Sequence, residues 1–295
     1  MKFEKLKGPL ILLITAFFWG TTFVAQSLGS DHVGAFTYNA GRFLITGIIL
    51  TIVCLIKKTK KVETKASPKW IYMMSIFVGV ALFLGATFQQ LGIDLTKSSS
   101  KSGFISSLYI VFVPIIGLLF KKKTSPSIII FLCIALIGSY LISINEKFDI
   151  ELGDIFTLIC AVMFGLQIVL VDQVNPHIDS VKLSAIQFIV AGILSVIFML
   201  FTEKVVFSNI YKAMPAILYA AVFSGCIAFT LQIIGQKYTE PTVASLIMSL
   251  ESVFALIGGV IVLNETLSPK MQIGCLLIFS AVVLAQIDFK KLFKK

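Results

Sequence analysis

Residues 70–93 read WIYMMSIFVGVALFLGATFQQLGI and carry no charged side chain. Wound as an α-helix, a run of this length reaches about 36 Å, enough to cross the ~30 Å hydrocarbon layer of a bilayer. The same pattern recurs along the chain. Apolar runs between polar punctuation fall at 8–28, 34–56, 70–93, 101–120, 126–144, 153–173, 181–202, 213–235, 242–263 and 270–289. These predict ten membrane-spanning helices joined by short loops, an all-α polytopic membrane protein.

Composition agrees. Of the 295 residues, 57% are hydrophobic and 14% charged, with a mean hydropathy of +0.97. A soluble domain is about 45–50% apolar and about 25% charged, so 25 basic and 15 acidic residues cannot cover a water-exposed surface of this size. A soluble enzyme, a disulfide-stapled secreted domain and a disordered regulator are all excluded. The first run, after Lys2, Lys5 and Lys7, is too long for a signal-peptide core and reads as a spanning helix. The net charge of +10 does not indicate nucleic acid, because the lysines sit in short clusters between apolar runs. Cys54, Cys133, Cys160, Cys226 and Cys275 are scattered singly, without the spacing of a zinc site or a disulfide framework, so no metal or cofactor is expected.

Orientation follows from the lysines. With the N-terminus inside, eighteen fall in inner segments and six in outer ones, and Arg42 lies within the second run. An even number of crossings puts both termini on one side, here the cytoplasmic side of the plasma membrane.

Sliding the sequence on itself exposes a repeat. At an offset of 145, Gly8, Ala16, Gly20, His32, Phe43 and Gly47 meet Gly153, Ala161, Gly165, His177, Phe188 and Gly192. At 143, Gln89, Gly92, Thr96, Ser102, Ser106, Ser125 and Pro126 meet Gln232, Gly235, Thr239, Ser245, Ser249, Ser268 and Pro269. The chain therefore divides into halves of five crossings each, 1–145 and 146–295. An odd number per half makes the second enter the membrane from the opposite face, giving two inverted five-helix repeats. That architecture suits alternating access.

Several stretches resemble a known family. Pro9 to Phe23, with Phe18-Trp19-Gly20-Thr21-Thr22-Phe23, resembles the first-helix signature of the drug/metabolite transporter superfamily, EamA type, and Arg42-Phe43 opens the second helix as it does there. Gln90-Leu91-Gly92 through Ser102-Gly103-Phe104-Ile105 to Pro114 looks like that family's fourth-helix signature. The stretch from Ala244 through Leu250-Glu251 to Asn264-Glu265-Thr266-Leu267 and Gly274 looks like its ninth. The resemblance covers essentially the whole chain. It implies a ten-helix carrier of amino acids, nucleotides, sugars or other metabolites, often an exporter. Ser252 stands where many relatives carry proline after the glutamate, which removes the usual cause of a kink at that point.

Charge inside the membrane marks the candidate site, because an ionised side chain at mid-helix costs at least about 2.5–3.5 kcal/mol. Glu251 lies near the bilayer midplane and Arg42 about 12 Å from the outer end of its helix. A cavity role gives Glu251 a proton or a substrate amine to hold and Arg42 a substrate carboxylate. A structural ion pair, or snorkelling by Arg42, is the plainer alternative. Gln89 and Gln232 are repeat partners, Gln187 is the partner of Arg42, and Gln167 sits mid-helix. All four suit a small polar ligand or interhelical hydrogen bonds. Trp19 and Phe23, four apart on one face, suit an aromatic cavity wall or packing. Tyr109 and Ser107 have a weaker claim, Glu265 reads as a helix-end residue, and His32 and His177 read as surface residues in loops at opposite faces.

No nucleotide-binding loop, zinc-protease motif or Ser-His-Asp spacing is present, so no catalytic residues are assigned. The expectation is a secondary carrier of a small polar metabolite such as an amino acid, with the lipid bilayer as its surroundings and protons as a coupling ion. Oligomeric state is not legible. An intramembrane enzyme acting on lipid or a lipid-linked substrate is the alternative from another class, and a non-catalytic assembly subunit a third.

Overall fold

A computed structural model describes residues 2–57, 62–96, 99–143, 151–263 and 267–286. Among them the chain is helical throughout and contains no strand. The helices are α1 (Lys2–Ser30), α2 (Ala35–Lys57), α3 (Pro68–Thr96), α4 (Ser99–Ser107), α5 (Tyr109–Leu119), α6 (Pro126–Ser143), α7 (Leu152–Val174), α8 (Ser180–Thr202), α9 (Phe207–Tyr219), α10 (Thr230–Gln236), α11 (Pro241–Met248), α12 (Glu251–Leu263) and α13 (Pro269–Ala285). A π-helical stretch, Ala220–Phe229, joins α9 to α10.

Among the described residues, eight segments are long and apolar enough to cross a membrane, and two shorter apolar helices, Pro126–Ile142 and Pro269–Ala285, match the remaining expected runs. Their outer faces carry large apolar side chains. Phe201, Phe207 and Leu119 are each more than 80% exposed, which only a lipid surround tolerates in such number.

Turn chemistry places the starts. Ser-Pro opens α3, α6 and α13, where Ser67, Ser125 and Ser268 hydroxyls accept from Trp70, Ile128 and Met271 backbone N–H groups. Proline at the first helical position gives up only an N–H that has no intrahelical partner. Asp179 caps α8 by accepting from Val181 and Lys182.

Packing repeats itself between the halves. The helix α7 packs on α3 through Gly153, which lies against the Gly92 carbonyl and Thr96, and α1 packs on the α9–α10 span through Gly8, which lies against the Gly235 carbonyl and Thr239. Those are the residues related by the two offsets. Gly47 lies on Ile189 as Gly192 lies on Leu44, and Gly20 approaches the α11–α12 span as Gly165 approaches α5. A Cβ at any of these glycines meets a neighbouring helix, which is why small residues are needed there. The pairs α2–α8 and α6–α13 form the remaining large contacts.

Two expected helices are interrupted. The run expected at 101–120 breaks at Leu108 between α4 and α5, and that expected at 242–263 breaks at Ser249 and Leu250 between α11 and α12. The tighter bonds Leu108 N–H to Ile105 O (3.2 Å) and Leu250 N–H to Ile247 O (3.2 Å) replace regular α-helical ones. Pro114 lies inside α5, six residues past its break, and no proline is needed at Ser252.

Candidate functional site

Both breaks open onto a central cavity. Tyr109 begins α5 and Glu251 begins α12, and the two line the cavity together with Trp19, Thr22, Phe23 and Gln26 of α1, Arg42 and Phe43 of α2, Gln89 of α3, Phe164 and Gln167 of α7, and Ser224 and Phe229 of the π stretch. The α1 contribution follows helical geometry, since positions 19, 22, 23 and 26 share one face. The cavity is narrow, at about 40 Å³. That volume holds a few waters.

Six of the eight expected residues line this cavity directly: Glu251, Arg42, Trp19, Phe23, Gln89 and Gln167. Gln187 and Gln232 lie one layer behind. Gln167 Nε2 donates to Gln187 Oε1 (3.2 Å), and Gln232 Nε2 donates to Gln167 Oε1 (2.9 Å), so these two hold the cavity-lining amide in place.

Arg42 and Glu251 are not an ion pair. Both are about 95% buried, and among the described residues neither lies within 4 Å of an opposite charge. Arg42 Nε donates to Asn39 Oδ1 (2.9 Å), and its guanidinium stands over the Phe43 ring at 4.7 Å. That aromatic contact offsets part of the cost of burial. The Glu251 carboxylate faces the buried Tyr109 hydroxyl, the side-chain donor set against it. Glu251 also stands at the N-terminus of α12, where unpaired backbone N–H groups favour negative charge. The buried Trp19 Nε1 has no hydrogen-bond partner among the described residues, and Trp19 packs on Phe229 at 4.7 Å between centroids.

A chain of amides extends the site toward the α1–α2 loop. Gln26 Nε2 donates to Gln89 Oε1 (3.1 Å) and Gln90 Oε1 (3.2 Å), Gln90 Nε2 donates to Asp94 Oδ1 (3.1 Å), and Gln89 Nε2 donates to Ser106 Oγ (2.8 Å). Gln26 is the main residue the sequence reading passed over. Its signal was present, as the seventh position after Trp19 on the same helical face. Phe164, Phe229 and Ser224 carried no such signal, since each sits in an apolar run that gives no sign of which face turns inward.

The π stretch adds its own chemistry. Thr46 Oγ1 donates to Ala221 O (2.8 Å) and Thr15 Oγ1 to Ala228 O (3.3 Å), so side chains of α2 and α1 serve carbonyls in the irregular backbone. His177 ends the 3₁₀ turn Asn175–His177, where its Nδ1 bonds Thr64 Oγ1 (2.6 Å), and His32 lies exposed after α1. Glu265 lies outside the described residues. No group of three His, Cys, Asp or Glu gathers among the described residues.

Known proteins are similar to this chain throughout. An uncharacterized transporter of Archaeoglobus fulgidus is 32% identical over 285 residues, which is 96% of this chain and 87% of the relative. The Bacillus subtilis uncharacterized transporter YoaV is 21% identical across 97% of the chain and 98% of the relative, and a WAT1-related chloroplastic protein of Arabidopsis thaliana is 21% identical across 93% and 68%. A solved crystal structure superposes with a TM-score of 0.80 at 18% identity, covering 97% of this chain and 99% of the other, which places the fold. The model of the EamA-like transporter family matches residues 6–144 and again 151–286. Matched over both stretches, with apolar helices long enough to cross a bilayer, this chain belongs to the EamA-like transporter family.

Proposed function

We propose that this protein is a secondary carrier of a small zwitterionic metabolite such as an amino acid, moved by alternating access between two inverted halves, 1–145 and 146–295, in the plasma membrane with both termini cytoplasmic. The single observation that carries the reading is a pair of opposite, unpaired, buried charges, Arg42 and Glu251, lining one cavity at a helix break. A buried charge without a partner is costly, and a ligand bearing a carboxylate and an amine relieves both costs at once.

On this reading each lining residue has a role. Arg42 takes the carboxylate, with Asn39 fixing its Nε and leaving the rest of the fork for bidentate contact. Glu251 takes the ammonium or, between substrates, a proton, which couples uptake of one to release of the other. Trp19, Phe23, Phe43 and Phe229 supply apolar walls for the remainder of the substrate, and Gln26, Gln89 and Gln167 supply adaptable amides. Export or exchange is favoured over channel conduction because the cavity is too narrow to be a continuous pore.

The test is reconstitution of the full chain into liposomes, with labelled amino acids and nucleosides offered under an imposed proton gradient. An amino acid is expected to be moved, and Glu251→Gln is expected to abolish the response to the gradient. A variant that moves substrate as fast as the parent, with the same pH response, overturns the coupling role of Glu251. Movement of nucleosides alone overturns the substrate class.

A further inference from the structure

A second concavity lies away from the central cavity, as a groove of about 540 Å³ walled by α1, α9 and α12. Along α1 and into the turn after it, its lining runs from Thr21 to Asp31, ten residues or about 15 Å, which is the depth of one hydrocarbon leaflet. Leu28, Pro215, Gly258 and Val262 make its wall apolar, and Gly258 leaves space that any side chain would occupy. At its inner end the Tyr219 hydroxyl donates to Thr21 Oγ1 (2.7 Å), so both polar groups are already satisfied there. Formal charge appears only at the mouth, where Asp31 of the α1–α2 turn and Lys212 of α9 are both exposed. Among the described residues neither has an ion-pair partner, and His32 stands beside them.

An apolar slot one leaflet deep, with a cation and an anion at its rim, matches an amphiphile with one long chain in the slot and a zwitterionic head at the surface. We propose that the groove is a binding site for a phosphatidylethanolamine of the leaflet on the α1–α2 side, with its phosphate on Lys212 and its ammonium on Asp31. A phosphatidylglycerol headgroup satisfies Lys212 and brings no cation to Asp31. A phosphatidylcholine headgroup brings a cation with no N–H to donate. The site is independent of substrate identity and of the coupling assignment, since it shares no residue with the central cavity.

Native mass spectrometry of the full chain in detergent, titrated separately with phosphatidylethanolamine, phosphatidylglycerol and phosphatidylcholine of equal acyl chains, tests it. Phosphatidylethanolamine is expected to be retained most. Lys212→Ala is expected to lower retention of all three about fivefold, the weight of one basic residue at a membrane surface. Asp31→Asn is expected to remove the preference over phosphatidylglycerol, and Val262→Trp, which fills the slot from an exposed position, to abolish retention. Equal retention of the three lipids by the parent overturns the headgroup assignment. Retention unchanged by both Lys212→Ala and Val262→Trp overturns the site.

Discussion

Arg42 and Glu251 separate a functional charge from a structural one by what their removal does to stability. A buried ion pair that loses one member leaves an uncompensated charge and costs about 3–5 kcal/mol, whereas these two have no pair to lose. Arg42→Gln removes a costly charge and keeps a polar side chain beside Asn39, so the variant is expected to melt in detergent at or above the parent temperature. Transport is expected to move the other way. A hydrogen bond to a charged group contributes about 1.5–3 kcal/mol, so the half-saturating concentration of a carboxylate substrate rises about tenfold or more, while that of its methyl ester stays put. A large drop in melting temperature with unchanged half-saturation would falsify the ligand role. The exchange Arg42→Glu with Glu251→Arg is expected to leave transport abolished, because the two groups do not touch and each keeps a different surround, aromatic for one and a helix N-terminus for the other.

At the scale of elements, the spans were legible and their interruptions were not. Lipid forces the backbone to satisfy itself and the side chains to be apolar, so 70–93 announces a crossing by composition alone. Nothing in Ser107-Leu108-Tyr109 or Ser249-Leu250-Glu251 forbids a continuous helix. The breaks there come from tertiary packing and from serines that bond back, Ser107 Oγ to Phe104 O (2.7 Å) and Ser249 Oγ to Leu246 O (2.7 Å). The reading of Ser252 shows the same limit, since proline is one cause of a break and the structure supplies another. Because α12 starts at Glu251, Ser252 lies in a first turn, where proline costs less than at mid-helix; its N–H bonds Ser249 O (3.1 Å), and its own hydroxyl is buried and unbonded. Ser252→Pro is therefore expected to cost about 1 kcal/mol, the net contribution of that one bond, while Phe254→Pro, whose N–H bonds Leu250 O (3.0 Å) further into the helix, costs about 3 kcal/mol or more, both read by thermal unfolding in detergent. The π stretch was equally silent in sequence. Thr46→Val keeps the shape and strips the donor from Ala221 O, and is expected to destabilise by about 1 kcal/mol.

At the scale of the whole molecule, the offsets of 145 and 143 carry a topological consequence that labelling reads directly. Ser125 and Ser268 perform the same task, capping a Ser-Pro helix start, at repeat-related positions of the two halves. If the halves are inverted, cysteines placed there react with a membrane-impermeant reagent from opposite sides, Ser125→Cys from the cytoplasm and Ser268→Cys from outside, in a background freed of the five native cysteines. Reaction of both from one side removes the inversion and the carrier mechanism with it. The proposed alternating access requires in turn that contacts across the halves break at each end. On the side of the α5–α6 loop, Lys122 Nζ meets Asp172 Oδ2 at 2.8 Å and Thr124 Oγ1 meets Thr242 Oγ1 at 3.1 Å, each joining first half to second. The ion pair is half exposed at Lys122, so it contributes at most about 1 kcal/mol and is weak enough to open in every cycle. A covalent bond is not. With Thr124→Cys and Thr242→Cys in the same background, the two side chains are close enough for a disulfide to form with little backbone movement. Oxidation is then expected to stop transport, and a reductant to restore it, while each single variant stays active under oxidant. Continued transport by the fully cross-linked protein would mean that this end never opens, and substrate would have to cross by a route that leaves the two halves joined.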